Sequence, residues 1–212
     1  ATSVAVSMNS ADFTVASSHF RYLPLELLSA TPSFGPTLGG TLILVKGAHF
    51  ANHNLRCHFL SVGTTPATVL TATSLKCLSP PSTNGPASML VMSDSGHMRS
   101  HLPGLRFHYL TFPSLLSLRP SFGSSRGGTQ VTVVAAPAFA KNAGPLVCRF
   151  DSVIVPATRV SAVEVTCNAP PLQQQASDGS VFVGVTVSQN GADFAVDANS
   201  GSPLSFAYTD EP

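Results

Sequence analysis

The sequence predicts an all-β chain made of tandem β-sandwiches, and three observations carry that prediction. The string Pro-Ser-Phe-Gly followed by Gly-Gly-Thr occurs twice, at Pro32–Thr41 and Pro120–Thr129, a displacement of 120 − 32 = 88 residues. Each copy continues through Cys-x-Phe (Cys57 to Phe59, Cys148 to Phe150), Cys-x-x-Pro-Pro (Cys77 to Pro81, Cys167 to Pro171) and Phe-x-Tyr (Phe107 to Tyr109, Phe206 to Tyr208). A period of about 90 residues is too long for a solenoid repeat and suits one small domain. The segments between these landmarks are short, β-branched and punctuated by Gly, Pro and Asn, with no helical period long enough to compete. The first two dozen residues repeat the tail of both copies: Val4 to Asn9 and Phe20 to Tyr22 match Val185 to Asn190 and Phe206 to Tyr208. Even Ala11-Asp12-Phe13 returns as Ala192-Asp193-Phe194. The expected domains are therefore 1–25, the last strands of a truncated module, then full modules at 26–112 and 113–212.

The duplicate shows which face of each strand stays apolar, because successive side chains point to opposite faces. After Gly-Gly-Thr, Ile43 and Val45 align with Val131 and Val133 and are expected inside. Leu42 and Leu44 align with Gln130 and Thr132 and are expected outside. Leu55, Cys57 and Phe59 match Leu146, Cys148 and Phe150 as inward residues. Leu75 with Cys77, and Val165 with Cys167, put the second cysteine of each copy on the core side. Leu90 and Met92 are matched to Val185 and Val187, and to Val4 and Val6 in the partial copy. Asn190-Gly191, Ser95-Gly96 and Asn9-Ser10 supply a hairpin turn before the final strand. The result is about seven strands per copy, a count that follows from the sandwich pattern. The junction Tyr109–Leu115 passes directly from a last strand to a first, stiffened by Pro113, which favours a rigid end-to-end arrangement.

Composition narrows function. The 212 residues carry a formal net charge of +1 and only 10% charged side chains, which removes the electrostatic footprint needed for nucleic acid or an anionic membrane. No run of the sequence reaches the length of a membrane span.

These residues resemble the IPT/TIG family, the immunoglobulin-like modules shared by plexins, some receptor kinases and certain transcription factors. The resembling pattern is Pro-x-x-Gly-(x)-Gly-Gly-Thr, a strand, Gly-x-x-Phe (Gly47 to Phe50), Cys-x-Phe, Cys-x-x-Pro, a Val-x-Val strand and Phe-x-Tyr. It covers residues 27–110 and 116–208. The second copy departs where Ala136 replaces Gly47, and where the loop after Pro171 is extended by Gln173-Gln174-Gln175. The resemblance implies tandem immunoglobulin-like β-sandwiches without catalytic machinery, used as spacers, dimerisation surfaces or ligand-binding units.

The four cysteines fall 20 and 19 residues apart within their copies, with matching inward parity. One bridge per module, Cys57–Cys77 and Cys148–Cys167, is expected, and in extracellular relatives cysteines at these positions resemble disulfide partners. The alternative is reduced, buried thiols that fill space as small apolar groups. Bridges would place the chain in an oxidising compartment, while the lack of any Asn-x-Ser/Thr sequon tempers that placement.

All seven histidines lie between His19 and His108, and His49, His53 and His58 are close in sequence. Zinc needs three or four converging ligands; solvated loop histidines are the expected reading, so no metal site is assigned. Carboxylates are scattered, and the recurrence of Asp12 as Asp193 points to a turn role. No acid pair, nucleophile elbow, phosphate loop or calcium loop appears, so no enzyme and no cofactor are expected.

Candidate interface residues are the outward Leu42 and Leu44, the polar loop at Gln173, Gln174 and Gln175, and the stretch Phe194–Leu204. The outward leucines have an alternative reading, cover by a neighbouring module or hairpin. The expected function is a non-catalytic interaction or spacer segment of a multi-module cell-surface or secreted protein, with adjacent modules and an unidentified protein as partners. Two alternatives stand beside it: an intracellular cytoskeletal or ciliary subunit with reduced cysteines, and a carbohydrate-binding accessory module. The last is disfavoured by the absence of Trp.

Overall fold

The computed structural model describes residues 2–14, 18–20, 23–50, 54–95, 99–101, 103–141, 144–173 and 180–209. The readings at Tyr22, His53, Gly96, Gln174 and Gln175 lie outside the described residues. The described residues form strands and connecting turns, with no helix among them.

A short antiparallel pair, β1 (Thr2–Val4) and β2 (Ser18–Phe20), leads the chain. The first module then runs β3 (Glu26–Thr31), β4 (Phe34–Pro36), β5 (Leu42–Ala48), β6 (Leu55–Phe59), β7 (Gly63–Thr71), β8 (Ser74–Leu78), β9 (Gly85–Ser93) and β10 (Leu105–Leu110). The second repeats it as β11 (Ser114–Arg119), β12 (Phe122–Ser124), β13 (Gln130–Ala136), β14 (Val147–Phe150), β15 (Val153–Arg159), β16 (Glu164–Asn168) and β17 (Val181–Ser188). It ends with a two-residue β18 (Phe194–Ala195) and β19 (Leu204–Thr209).

Each module is a two-layer sandwich made continuous by one strand that changes sheets. The first half of β7 pairs with β6 (Cys57↔Thr65), and its second half pairs with β8 (Ala67↔Cys77). The path is β3-β5-β8-β7-β6-β9-β10-β4, and the second module follows the same path as β11-β13-β16-β15-β14-β17-β19-β12. The expected count of about seven is one short of the path, because β4 and β12 are three-residue segments in the Pro-Ser-Phe-Gly string. They carry no alternation to read, yet pair parallel with the last strands β10 and β19.

Core composition follows the parity expected for β5, β6 and β8. Ile43, Val45, Cys57, Phe59 and Leu75 are fully buried, as are Val131, Val133, Cys148 and Val165, while Phe150 and Cys167 are nearly so. An aromatic cluster closes each core. Phe59, Phe107 and Tyr109 meet edge to face in the first module, with the Phe107 and Tyr109 centroids 5.1 Å apart. Phe206 takes the corresponding place in the second, meeting Phe150 and, at 5.1 Å, Tyr208. Such contacts add to the hydrophobic term at favourable ring geometry.

Three alignments change. On β9 the core-facing residues are Ala87, Met89 and Val91, not Leu90 and Met92, since Cys57 pairs with Val91 as Cys148 pairs with Val187. The run Met89 to Met92 is apolar on both faces, so periodicity gave no signal; Leu90 is buried from outside, against the segment holding Gly104. The counterpart of Gly47 is Ala135 rather than Ala136, because Leu27↔Gly47 and Leu115↔Ala135 occupy the same register. Finally, the Asn190-Gly191 turn does not lead directly to the last strand. It first lays β18 against β17, and Val196 to Ala198 then hydrogen-bond to Leu115.

Candidate interaction surfaces

Three features of this scaffold bear on function: the covalent staple inside each module, the outer face of the first sheet, and the joint between modules.

The staples join the layers. Cys57 on β6 bonds to Cys77 on β8, and Cys148 on β14 bonds to Cys167 on β16, with Cα–Cα separations of 6.4 and 6.3 Å. All four are buried, so these sulfurs are structural rather than reactive. Burial also pushes the tyrosine pKa up to about 12 for both Tyr109 and Tyr208, with the Asp151 charge adding to the effect on the latter. The two phenols differ in one respect. Tyr208 Oη donates to the Pro170 carbonyl at 2.7 Å, whereas Tyr109 Oη is buried with no partner among the described residues.

The outer face differs between modules. Leu42 and Leu78 sit opposite each other on β5 and β8, with Leu44 opposite Lys76. These leucines are 53%, 49% and 37% exposed for Leu42, Leu78 and Leu44 respectively. Lys46 lies on the same face of β5, and both lysines are exposed. In the second module the same register pairs Gln130 with Asn168 and Thr132 with Thr166.

Other candidates resolve differently. Gln173 is exposed at the rim of a shallow cleft of about 300 Å³ that also involves Asp151, Pro170, Val183 and Tyr208. The Phe194–Leu204 stretch is tied down rather than free: Phe194 lies under the Arg149 guanidinium at 4.0 Å, and Asp197 bridges to Leu115. Hydrogen bonds from Ser200, helped by Asn199, hold the Asp197 carboxyl below the usual range. His49 lies 2.8 Å from the Pro24 carbonyl and His58 2.7 Å from Thr64 Oγ1. No group of three or more His, Cys, Asp or Glu side chains converges to hold a metal among the described residues.

The two modules also meet in a hydrogen-bonded joint. In the turn after β17, Asn190 Oδ1 accepts from the backbone N–H groups of Ala192 and Asp193, at 3.0 and 2.9 Å, and from Ser188 Oγ at 3.2 Å. Asn190 Nδ2 donates to Asp193 Oδ2 at 2.7 Å and to the Phe34 carbonyl of the first module at 3.0 Å. The buried hydroxyl of Thr41 donates to Asp193 Oδ2 at 2.8 Å. The Phe34 ring packs 6.2 Å from Phe112 of the linker. The available signal was the recurrence of Asp12 as Asp193, which spacing alone assigned to a turn.

The architecture defines a tandem of disulfide-stapled immunoglobulin-like sandwiches, all-β and joined with almost no linker. The IPT/TIG domain family matches residues 25–109 and 113–208, and the chain belongs to that family. Among curated relatives it is 31% identical to human plexin-B3 over 134 residues, 61% of this chain and 7% of that protein. It is 29% identical to rat plexin-B3 over 182 residues, 82% of this chain and 9% of that protein. The chain thus spans under a tenth of the curated relatives it matches. Among solved structures, the plexin A4 full extracellular region superposes with a TM-score of 0.62 at 19% identity, covering 93% of this chain and 17% of that one.

Proposed function

We propose that this chain is a stiff, non-catalytic interaction segment of a multi-module extracellular or cell-surface protein, with residues 1–25 the tail of a truncated IPT/TIG module. On this reading the first full module presents its outer sheet to a protein partner. The observation that carries the proposal is the exposed strip of Leu42, Leu44 and Leu78 flanked by Lys46 and Lys76, where the sister module holds Gln, Thr and Asn. Both modules share a core, so folding does not require leucine there, and exposed contiguous apolar surface marks a contact. The flanking ammonium groups favour an apolar surface with acidic neighbours. The bonded cysteine pairs support an oxidising compartment and separate this reading from an intracellular subunit with free thiols.

The test is binding of the labelled chain to intact animal cells, read by flow cytometry. Leu42→Gln combined with Leu44→Thr copies the sister surface, and is expected to weaken binding about tenfold, ~1.4 kcal/mol. Circular dichroism should show the fold retained. Equal binding by parent and variant would overturn the role of this face.

A further inference from the structure

Each sandwich has an edge at its first strand, and the two edges are finished differently. β3 pairs only with β5 and β11 only with β13, so each turns one row of main-chain groups away from its sheet. In the second module the chain itself covers that row. Leu115 N–H donates to the Val196 carbonyl at 2.8 Å, Ala198 N–H donates to the Leu115 carbonyl at 2.8 Å, and Asp197 bridges Leu115 in parallel. Leu115 is fully buried, whereas Leu27, which stands opposite Gly47 as Leu115 stands opposite Ala135, is only partly so.

The first module does not make this cover from its own chain. Ser100 bonds to Val91 in the place where Ala195 pairs with Val187. From there to the core phenylalanine of the last strand, the first module has 107 − 100 = 7 residues and the second 206 − 195 = 11, so its return is 11 − 7 = 4 residues shorter. Three residues on from Ser100 and Ala195, Pro103 stands where the second module has Ala198, and proline has no N–H to give the Leu27 carbonyl. Neither bond made at Leu115 recurs at Leu27 among the described residues. What stands there is an open cleft of about 330 Å³, with Leu25 to Leu28 along one wall and His101, Pro103 and Gly104 along the other. The cleft is distinct from the joint between modules. In the second module that joint is made by Asn190 and Asp193, while Val196 and Ala198 bond to Leu115 within their own sandwich.

We infer that this cleft is a docking site for an extended peptide segment of a partner protein, lying parallel to the start of β3 as Val196 to Ala198 lie along β11. A carbonyl of the segment accepts from Leu27 N–H, and the N–H two residues further on donates to the Leu27 carbonyl. Strand addition of this kind takes its affinity from main-chain bonds and its selectivity from the side chains on alternate positions. The wall offered by Leu25, Leu27 and Leu28 is apolar, so side chains of valine and alanine size, as in the covering segment of the second module, fit it. The inference rests on the reading of the chain as an interaction segment but not on the leucine strip, which is the face of this sheet rather than its edge.

The probe is a seven-residue peptide with the sequence of Phe194 to Ser200, capped at both ends and added to the isotope-labelled chain up to about 5 mM, enough to read a millimolar Kd. Amide NMR shifts are expected at Leu27, Leu28 and Gly104 and not at Leu42 or Leu44. N-methylation of the peptide at the Ala198 position removes the donor to the Leu27 carbonyl and should weaken binding about tenfold. The Asp197 N–H turns away from Leu115 toward the Ser202 carbonyl, so N-methylation at that position should change the affinity by less than about twofold. Leu42→Gln/Leu44→Thr should bind the peptide as the parent chain does, so this inference and the outer-face reading fail separately. No shift at the top concentration, shifts gathered at Leu115, or the same affinity for both N-methylated peptides overturns the inference.

Discussion

The two full modules hold one core in two different coats. Val45 and Val133, Cys57 and Cys148, Phe107 and Phe206 are buried in matching places, yet the outward residues between them share almost nothing. Burial constrains the inner face because any change of volume there is felt by packed neighbours. Solvent places no such demand on the outer face, so leucine beside lysine in one module and Gln, Thr and Asn in the other are compatible with one fold.

That comparison can be broken most strongly at the staples. Converting either cysteine pair to alanine should cost about 3 kcal/mol, since the bridges close loops of similar length. Thermal unfolding of the two double variants, Cys57→Ala/Cys77→Ala and Cys148→Ala/Cys167→Ala, should show similar losses. A large inequality would mean that one sandwich leans on its bridge far more than its sister.

A smaller effect separates Gly47 from Ala135. A methyl group at Gly47 would run into the Glu26 carbonyl and the Phe50 ring. The second module carries alanine at this register, with Phe139 buried nearby in the same core. Gly47→Ala should therefore cost about 2 kcal/mol by overpacking, measured by chemical denaturation, with Ala135→Gly milder.

The smallest difference lies in the phenols. Tyr208→Phe leaves the Pro170 carbonyl without its donor and should cost about 1 kcal/mol, whereas Tyr109→Phe removes a hydroxyl with no partner among the described residues and should be neutral or stabilising. The sign with pH is fixed by the raised folded values. Unfolded tyrosine ionises near 10, the folded groups near 12, so stability is intact below pH 10 and declines as pH rises toward 12. Ultraviolet titration beside denaturation at high pH checks both parts.

Much of the fold was legible because the duplicate acts as an internal control. Ile43 with Val131 and Leu42 with Gln130 assign faces that one copy would leave ambiguous. Legibility failed where alternation vanishes: the run from Met89 to Met92 is apolar throughout, and its register became visible only through Val91 opposite Cys57. The short parallel strands β4 and β12 were hidden in a Pro- and Gly-containing string that reads as a turn. The outer leucines could be picked out from sequence because the sister surface is polar. The module joint was legible only in part: Asp193, which accepts from Thr41, recurs as Asp12, whereas the bond from Asn190 to the Phe34 carbonyl uses main chain on one side and leaves no mark on residue type.

The staple position also governs how each module would behave under load. Tension entering at β3 and leaving at β10 can peel strands outside the covalent loop but cannot unravel what lies between Cys57 and Cys77. Those 20 residues stay reeled in, withholding roughly 70 Å of contour from each stretched module. The strands on either side of the loop could still be drawn out, so the staple shortens a fully pulled module without preventing its extension.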